Sequence, residues 1–151
     1  MKLAIFFFIL GSISMANSFA NFSGTWNGNC EVNGKSTPSK KIVSQIDDKA
    51  IEINGMNFDL TKPTVVTLDG IDNGQKYREI TIYDWQWDKT KQFIQTSAKW
   101  VGWYLEQPGS WSGEGTGIIK IENNNLITTR KFGNIDEICT YPREAELLLS
   151  R

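Results

Sequence analysis

Apolar and polar residues alternate along much of this chain. From Phe22 to Val32 the period is two: Phe22, Gly24, Trp26, Gly28, Cys30 and Val32 share one face, and Ser23, Thr25, Asn27, Asn29 and Glu31 the other. That is the period of a half-buried strand, with Trp26 and Cys30 on its inner face. Gly24 and Gly28 flank the tryptophan there, leaving room for the indole or for sharp curvature. Asn33-Gly34 comes next, a dipeptide suited to the positive φ angles of a tight hairpin turn. Further strands are expected over Lys41 to Asp47, Ala50 to Ile53 and Met56 to Leu60, the last two joined by Asn54-Gly55. Thr64 to Leu68 is rich in β-branched residues, and Asp69 to Gly74 is a turn cluster.

Two long runs occupy the middle. Gln75 to Trp87 places Tyr77, Thr81, Tyr83, Trp85 and Trp87 on one face and Ile80 and Ile82 on the other. Asp88 to Lys91 turns into a second run, Gln92 to Tyr104. Gln107 to Gly117 is rich in Gly, Pro and Ser and reads as an exposed loop. Ile118 to Glu122, Asn125 to Phe132 and Ile135 to Tyr141 complete the strands. Pro142 ends the last, and residues 143–151 form either a short helix or a frayed tail.

Nine or ten strands with turn signals between them, and no amphipathic helix of ordinary length, predict an all-β fold. The expected architecture is a small antiparallel β-barrel, with a β-sandwich as the alternative. A meander closed into a barrel sets its first and last strands side by side. Cys30 and Cys139 fall in those two strands, so a disulfide between them favours the barrel. It would close a loop of about 110 residues and contribute roughly 4–5 kcal/mol on a chain-entropy view.

Composition adds a compartment. Lys2, the unbroken apolar run Leu3 to Leu10 and the small residues leading to Ser18-Phe19-Ala20 have the form of an export signal, residues 1–20, cut after Ala20. The apolar run is shorter than the roughly 20 residues a membrane-spanning helix needs. The mature chain, residues 21–151, suits one domain. An exported protein, periplasmic or secreted and without stable membrane insertion after cleavage, is the expectation, and a disulfide fits that compartment. The chain has 16 basic and 17 acidic residues and no basic stripe, so nucleic acid is an unsuitable partner.

The segment Asn21-Phe22-Ser23-Gly24-Thr25-Trp26 resembles the Gly-x-Trp opening of the lipocalin-type barrels, the calycin group that includes avidins and fatty-acid-binding proteins. The resemblance implies that Trp26 closes one end of the barrel and that an arginine from a late strand packs across its ring. Arg130 is the first choice for that cation and Arg143 the second. It implies a fold and transfers no ligand.

The chain contains no histidine. That removes the commonest general base and the usual zinc and haem ligand, and it rules out Ser-His-Asp and Cys-His nucleophiles. Asp69 to Gly74 fails as a calcium loop, because Ile71 and Ile80 stand where ligands are needed. Gly113 to Gly117 fails as a phosphate loop, because a β-branched segment succeeds it rather than a helix. Asp84 and Asp88 beside Trp85 and Trp87 suggest glycosidase chemistry, but four residues along one strand separate them by about 13 Å, beyond the paired-carboxylate range. Only carboxylates gathered from distant strands, among Glu79, Asp84, Glu106 and Glu114, would keep an enzyme in view. No cofactor and no metal site is expected.

An aromatic band remains. Trp85, Trp87, Trp100, Trp103 and Trp111, with Tyr104 among them, lie close in sequence. Their rings either fill the barrel or meet a small apolar or aromatic ligand. Trp111, in the expected loop, is the candidate for an exposed contact. The alternative use is an interaction module or inhibitor that presents Trp103, Tyr104 and Trp111 as an outer aromatic patch.

Overall fold

A computed structural model describes residues 19–143. The body of the expected export signal and the tail 144–151 lie outside the described residues. Ten strands succeed one another: β1 Gly24–Val32, β2 Lys35–Gln45, β3 Ala50–Ile53, β4 Met56–Asp59, β5 Thr64–Asp72, β6 Gln75–Trp87, β7 Phe93–Tyr104, β8 Ser110–Glu122, β9 Asn125–Phe132 and β10 Ile135–Pro142. All pairings are antiparallel, in the spatial order β4-β3-β2-β1-β10-β9-β8-β7-β6-β5. The sheet curls into a nearly closed barrel.

The turns explain how so much chain becomes one meander. Asn33-Gly34, Asn54-Gly55 and Asn73-Gly74 each place two consecutive residues at positive φ, as does Asn123-Asn124. Two positive φ angles in a two-residue loop match the natural twist of the strands they join. Each turn therefore fixes a register, and each register keeps the alternating faces aligned.

The first and last strands close the ring. Cys30 lies opposite Cys139 in the β1–β10 ladder, and a disulfide joins them. Gly28 serves the same junction: a Cβ on it would stand 2.0 Å from the Thr140 carbonyl oxygen, so only glycine lets the strands approach there. The backbone of β10, not the indole, requires it.

The remaining seam, between β4 and β5, is closed by side chains. Phe58 of β4 stacks on Trp85 at 3.8 Å with its ring nearly parallel, and meets Tyr83 edge-on at 5.2 Å. The Asp59 amide donates to the Thr64 hydroxyl across the gap. Past that point β5 pairs only with β6, and β2 before Val43 pairs in its ladders only with β1. The barrel is shut at one end and slit along part of its side.

Candidate functional site

The interior divides by height. At the closed end, Phe22, Trp26, Ile51, Ile94, Leu126 and Tyr141 have no exposed surface. The Trp26 indole N–H donates to the Phe22 carbonyl at 2.9 Å. Phe22 stacks against Trp87, whose own N–H reaches the Asp48 carbonyl. Arg143 lies across the outer face of Trp26 at 5.0 Å and donates to the Ser23 carbonyl. The expected stacking cation is thus Arg143, and Arg130 is displaced from that role. The reason is register: Trp26 pairs with Arg143 through a bridge just past β10, whereas Arg130 sits deep in β9 opposite Glu137.

Above this plug the inward positions change character. Strand β8 presents Trp111, Gly113, Gly115, Gly117 and Ile119 inward, with polar Ser112, Glu114 and Thr116 between them. The expected Gln107 to Gly117 loop is therefore mostly strand. Two of its glycines lie under neighbouring rings, while Gly117 is crowded by the Thr129 carbonyl. A Cβ on Gly113 would lie 2.4 Å from the Trp100 ring, and one on Gly115 2.5 Å from Phe132. Gly102 of β7 is covered by Trp111 in the same way. Trp100 and Phe132 meet edge-on at 5.7 Å.

Between plug and rings lies open space. One cavity of about 300 Å³ is walled by Thr81, Tyr83, Trp85, Trp100 and Phe132, with Glu79 at its rim. A second, of about 270 Å³, extends it toward the β3–β4 hairpin past Phe58, Lys41 and Thr128. Tyr83, Trp85, Thr96 and Arg130 line both, so the two adjoin and are described together as the chamber. A wider depression of about 710 Å³ runs over β6–β10. Most of its lining, including Gln95, Thr116 and Lys131, falls at outward strand positions, so it is open outer surface rather than interior.

The chamber is not wholly apolar. Arg130 donates from Nε to Glu137 Oε1 at 2.7 Å, and its Nη2 lies 2.5 Å from the same oxygen. Lys41, directly opposite Trp26 in the β1–β2 ladder and so inward, holds its ammonium 5.5 Å from the Tyr141 ring centre. Burial lowers the Lys41 pKa, the neighbouring Arg130 charge lowers it further, and Glu137 partly offsets both. Thr128 Oγ1 is buried with no hydrogen-bond partner among the described residues. Glu79 accepts from the Trp111 indole at 3.0 Å and the Thr81 hydroxyl at 3.2 Å.

The five tryptophans singled out from sequence fall into four settings. Trp85 and Trp100 wall the chamber. Trp87 belongs to the plug. Trp111 is inward and half-buried above the chamber, meeting Tyr77 and Tyr104 edge-on, and is not a loop residue. Trp103 alternates to the outer face, opposite Arg78 and Ser110. Trp103, Tyr104 and Trp111 are therefore split between faces and form no single outer patch. The carboxylates are equally dispersed: Glu79 points inward, Asp84 and Glu114 occupy outward positions, and Glu106 pairs with Lys76 beyond β7. Asp88 builds the β6–β7 turn, accepting from the amides of Thr90, Gln92 and Phe93.

Lys41, Thr128 and Glu137 carried no site signal in the sequence. In β2, Thr37, Ser39, Lys41 and Val43 form the inward row, and the first three are polar, so alternation does not reveal which face is inside. Their placement is set only by pairing with β1.

The fold and the chamber together define an antiparallel β-barrel with an aromatic-walled, partly polar interior. Comparison with protein-family models, with curated proteins and with solved structures found no match.

Proposed function

We propose that this chain is an exported, non-enzymatic binding protein of lipocalin-like build that takes a small apolar or aromatic molecule into the barrel interior. The observation that carries the reading is the chamber between Trp85 and Trp100. Aromatic and polar side chains there border a partly open space of about 300 Å³, the low end of the range for small-molecule sites. Glycines at 113 and 115 let the rings lie against the sheet instead of filling the space. Dispersed carboxylates and the missing histidine favour binding over catalysis. Export is supported by the leader pattern of residues 1–20 and by the Cys30–Cys139 bond; among the described residues no helix is long and apolar enough to cross a membrane. Mass measurement of the processed protein should place its first residue at Asn21.

The binding test uses N-phenyl-1-naphthylamine, a neutral fluorescent aromatic. Saturable enhancement of its emission, with quenching of protein tryptophan, is expected in the wild type and is expected to be lost in Trp100→Ala. A flat titration of folded protein removes the reading.

A further inference from the structure

The chamber's polar groups are placed unevenly, and that unevenness specifies a ligand more narrowly. Three inward side chains stand at its base: Lys41 of β2, Thr128 of β9 and Arg130 of β9, all lining the same cavity. Arg130 has a committed partner, with two nitrogens on one oxygen of Glu137. Lys41 has no carboxylate within salt-bridge distance among the described residues; its ammonium faces the Tyr141 ring instead. The other inward carboxylate, Glu79, is held at the opposite rim by Trp111 and Thr81. The base of the chamber therefore carries two cations against one carboxylate.

A half-buried ammonium with no directly paired carboxylate, and with Glu137 acting on it only at longer range, is unfavourable unless something further compensates for its lost hydration. The lowered Lys41 pKa reflects that same situation. Thr128 adds an independent observation. It is 5% exposed, its hydroxyl has no partner, and it lines the cavity beside Lys41 and Arg130. Buried polar atoms are nearly always hydrogen-bonded, and an orphaned one in a residue of the cavity wall is a place where a further polar atom can be accommodated.

Resting on the binding reading above, we propose that the chamber takes a small aromatic anion. Its acidic group would occupy the base, with Lys41 as counter-ion, Thr128 Oγ as hydrogen-bond donor and Arg130 contributing charge. Its flat body would lie between the Trp85 and Trp100 walls. The ligand class is an aromatic ring system bearing one carboxylate or sulfonate. A neutral hydrocarbon would leave the Lys41 charge and the Thr128 hydroxyl as they are. A dication would be repelled.

Two probes of nearly the same body separate this inference from the reading beneath it. 1-Anilinonaphthalene-8-sulfonate carries one sulfonate; N-phenyl-1-naphthylamine lacks it. Wild-type protein is expected to bind the sulfonate at least about tenfold more tightly than the neutral probe, the scale of one charge-assisted hydrogen bond. Lys41→Met is expected to abolish that preference while leaving the neutral probe's affinity within about twofold, and Lys41→Arg to keep most of it. Thr128→Val is expected to weaken the sulfonate alone. Equal binding of both probes by the wild type, or a preference untouched by Lys41→Met, overturns the anion inference and leaves the binding reading standing. Binding of neither probe by folded protein overturns both. The wild-type ratio needs no variant, so a misfolded mutant does not protect the inference.

Discussion

The two ends of this barrel are built from the same kinds of residue and do opposite things with them. At the closed end, Trp26, Phe22 and Tyr141 are fully buried, and the one indole N–H among them has a backbone acceptor. At the other end, Trp100, Tyr104, Trp111 and Phe132 are half-buried, meet edge-on and lie across glycines. Large side chains at successive inward positions of adjacent strands fill a barrel. Rings set opposite Gly102, Gly113 and Gly115 lie flat and leave a chamber beneath them. Aromatic content alone therefore does not distinguish a core from a site; the partner across the strand does.

The sharpest way to break that comparison is to remove one tryptophan from each end. Trp26→Ala should destabilise the protein by about 3–5 kcal/mol, the range for emptying a fully buried aromatic site. It also strands Arg143, which loses the ring beneath it. Urea unfolding would measure the effect. Trp100→Ala should lower stability by only about 1 kcal/mol while removing binding of the neutral aromatic probe. Similar stability losses at the two positions would mean that the mouth is simply more core.

A next, smaller effect tests the glycines. Gly115→Ala puts a methyl group where the Phe132 ring now lies. Overpacking of that kind is expected to lower the unfolding free energy by about 1–3 kcal/mol, and the displaced ring should alter the chamber. Gly34→Ala sets a reference: no atom lies within 4 Å of its Cβ position, so strain from its positive φ is the only expected loss. If both variants retain wild-type probe binding, the glycines of β8 have no part in shaping the interior.

How much of this was legible in the sequence obeys the same division. The plug was readable because its information is local: Trp26 and Cys30 alternate along one segment, and Asn-Gly turns set their own geometry. The disulfide was readable because a closed meander brings its first and last strands together. The mouth was not. Gly113, Gly115 and Gly117 look like loop composition until Trp100 and Phe132 are known to cover the first two across the strand, although the two-residue spacing with Ser112, Glu114 and Thr116 was itself a strand signal. The choice between the two arginines also depends on register: Arg130 is the late-strand arginine in sequence, yet it is Arg143, just past β10, that bridges to Trp26. The polar base of the chamber depends wholly on register, since Lys41 and Thr128 become interior residues only through their strand partners.

The smallest expected effect concerns how the closed end is tied together at the β6–β7 turn beside Trp87. Partial desolvation raises the Asp88 pKa, but hydrogen bonds from the Thr90 hydroxyl and from the amides of Phe93, Thr90 and Gln92 outweigh it and carry it down to about 2. A carboxylate whose pKa is lower when folded stabilises the protein above its unfolded value, near 3.8, and that contribution disappears as the pH falls through about 2. Asp88→Asn should therefore melt a few degrees below wild type at pH 7, and the gap should shrink between pH 4 and pH 2. Asp69, near the other end, owes its lowered pKa chiefly to its hydrogen bond with Arg78, and that pair is solvent-exposed. Salt should erase most of the effect of Asp69→Asn by screening, but little of the effect of Asp88→Asn, whose hydrogen bonds come from the turn itself. Equal salt sensitivity at the two positions would show that the closed-end turn is held by net charge and not by its amide cage.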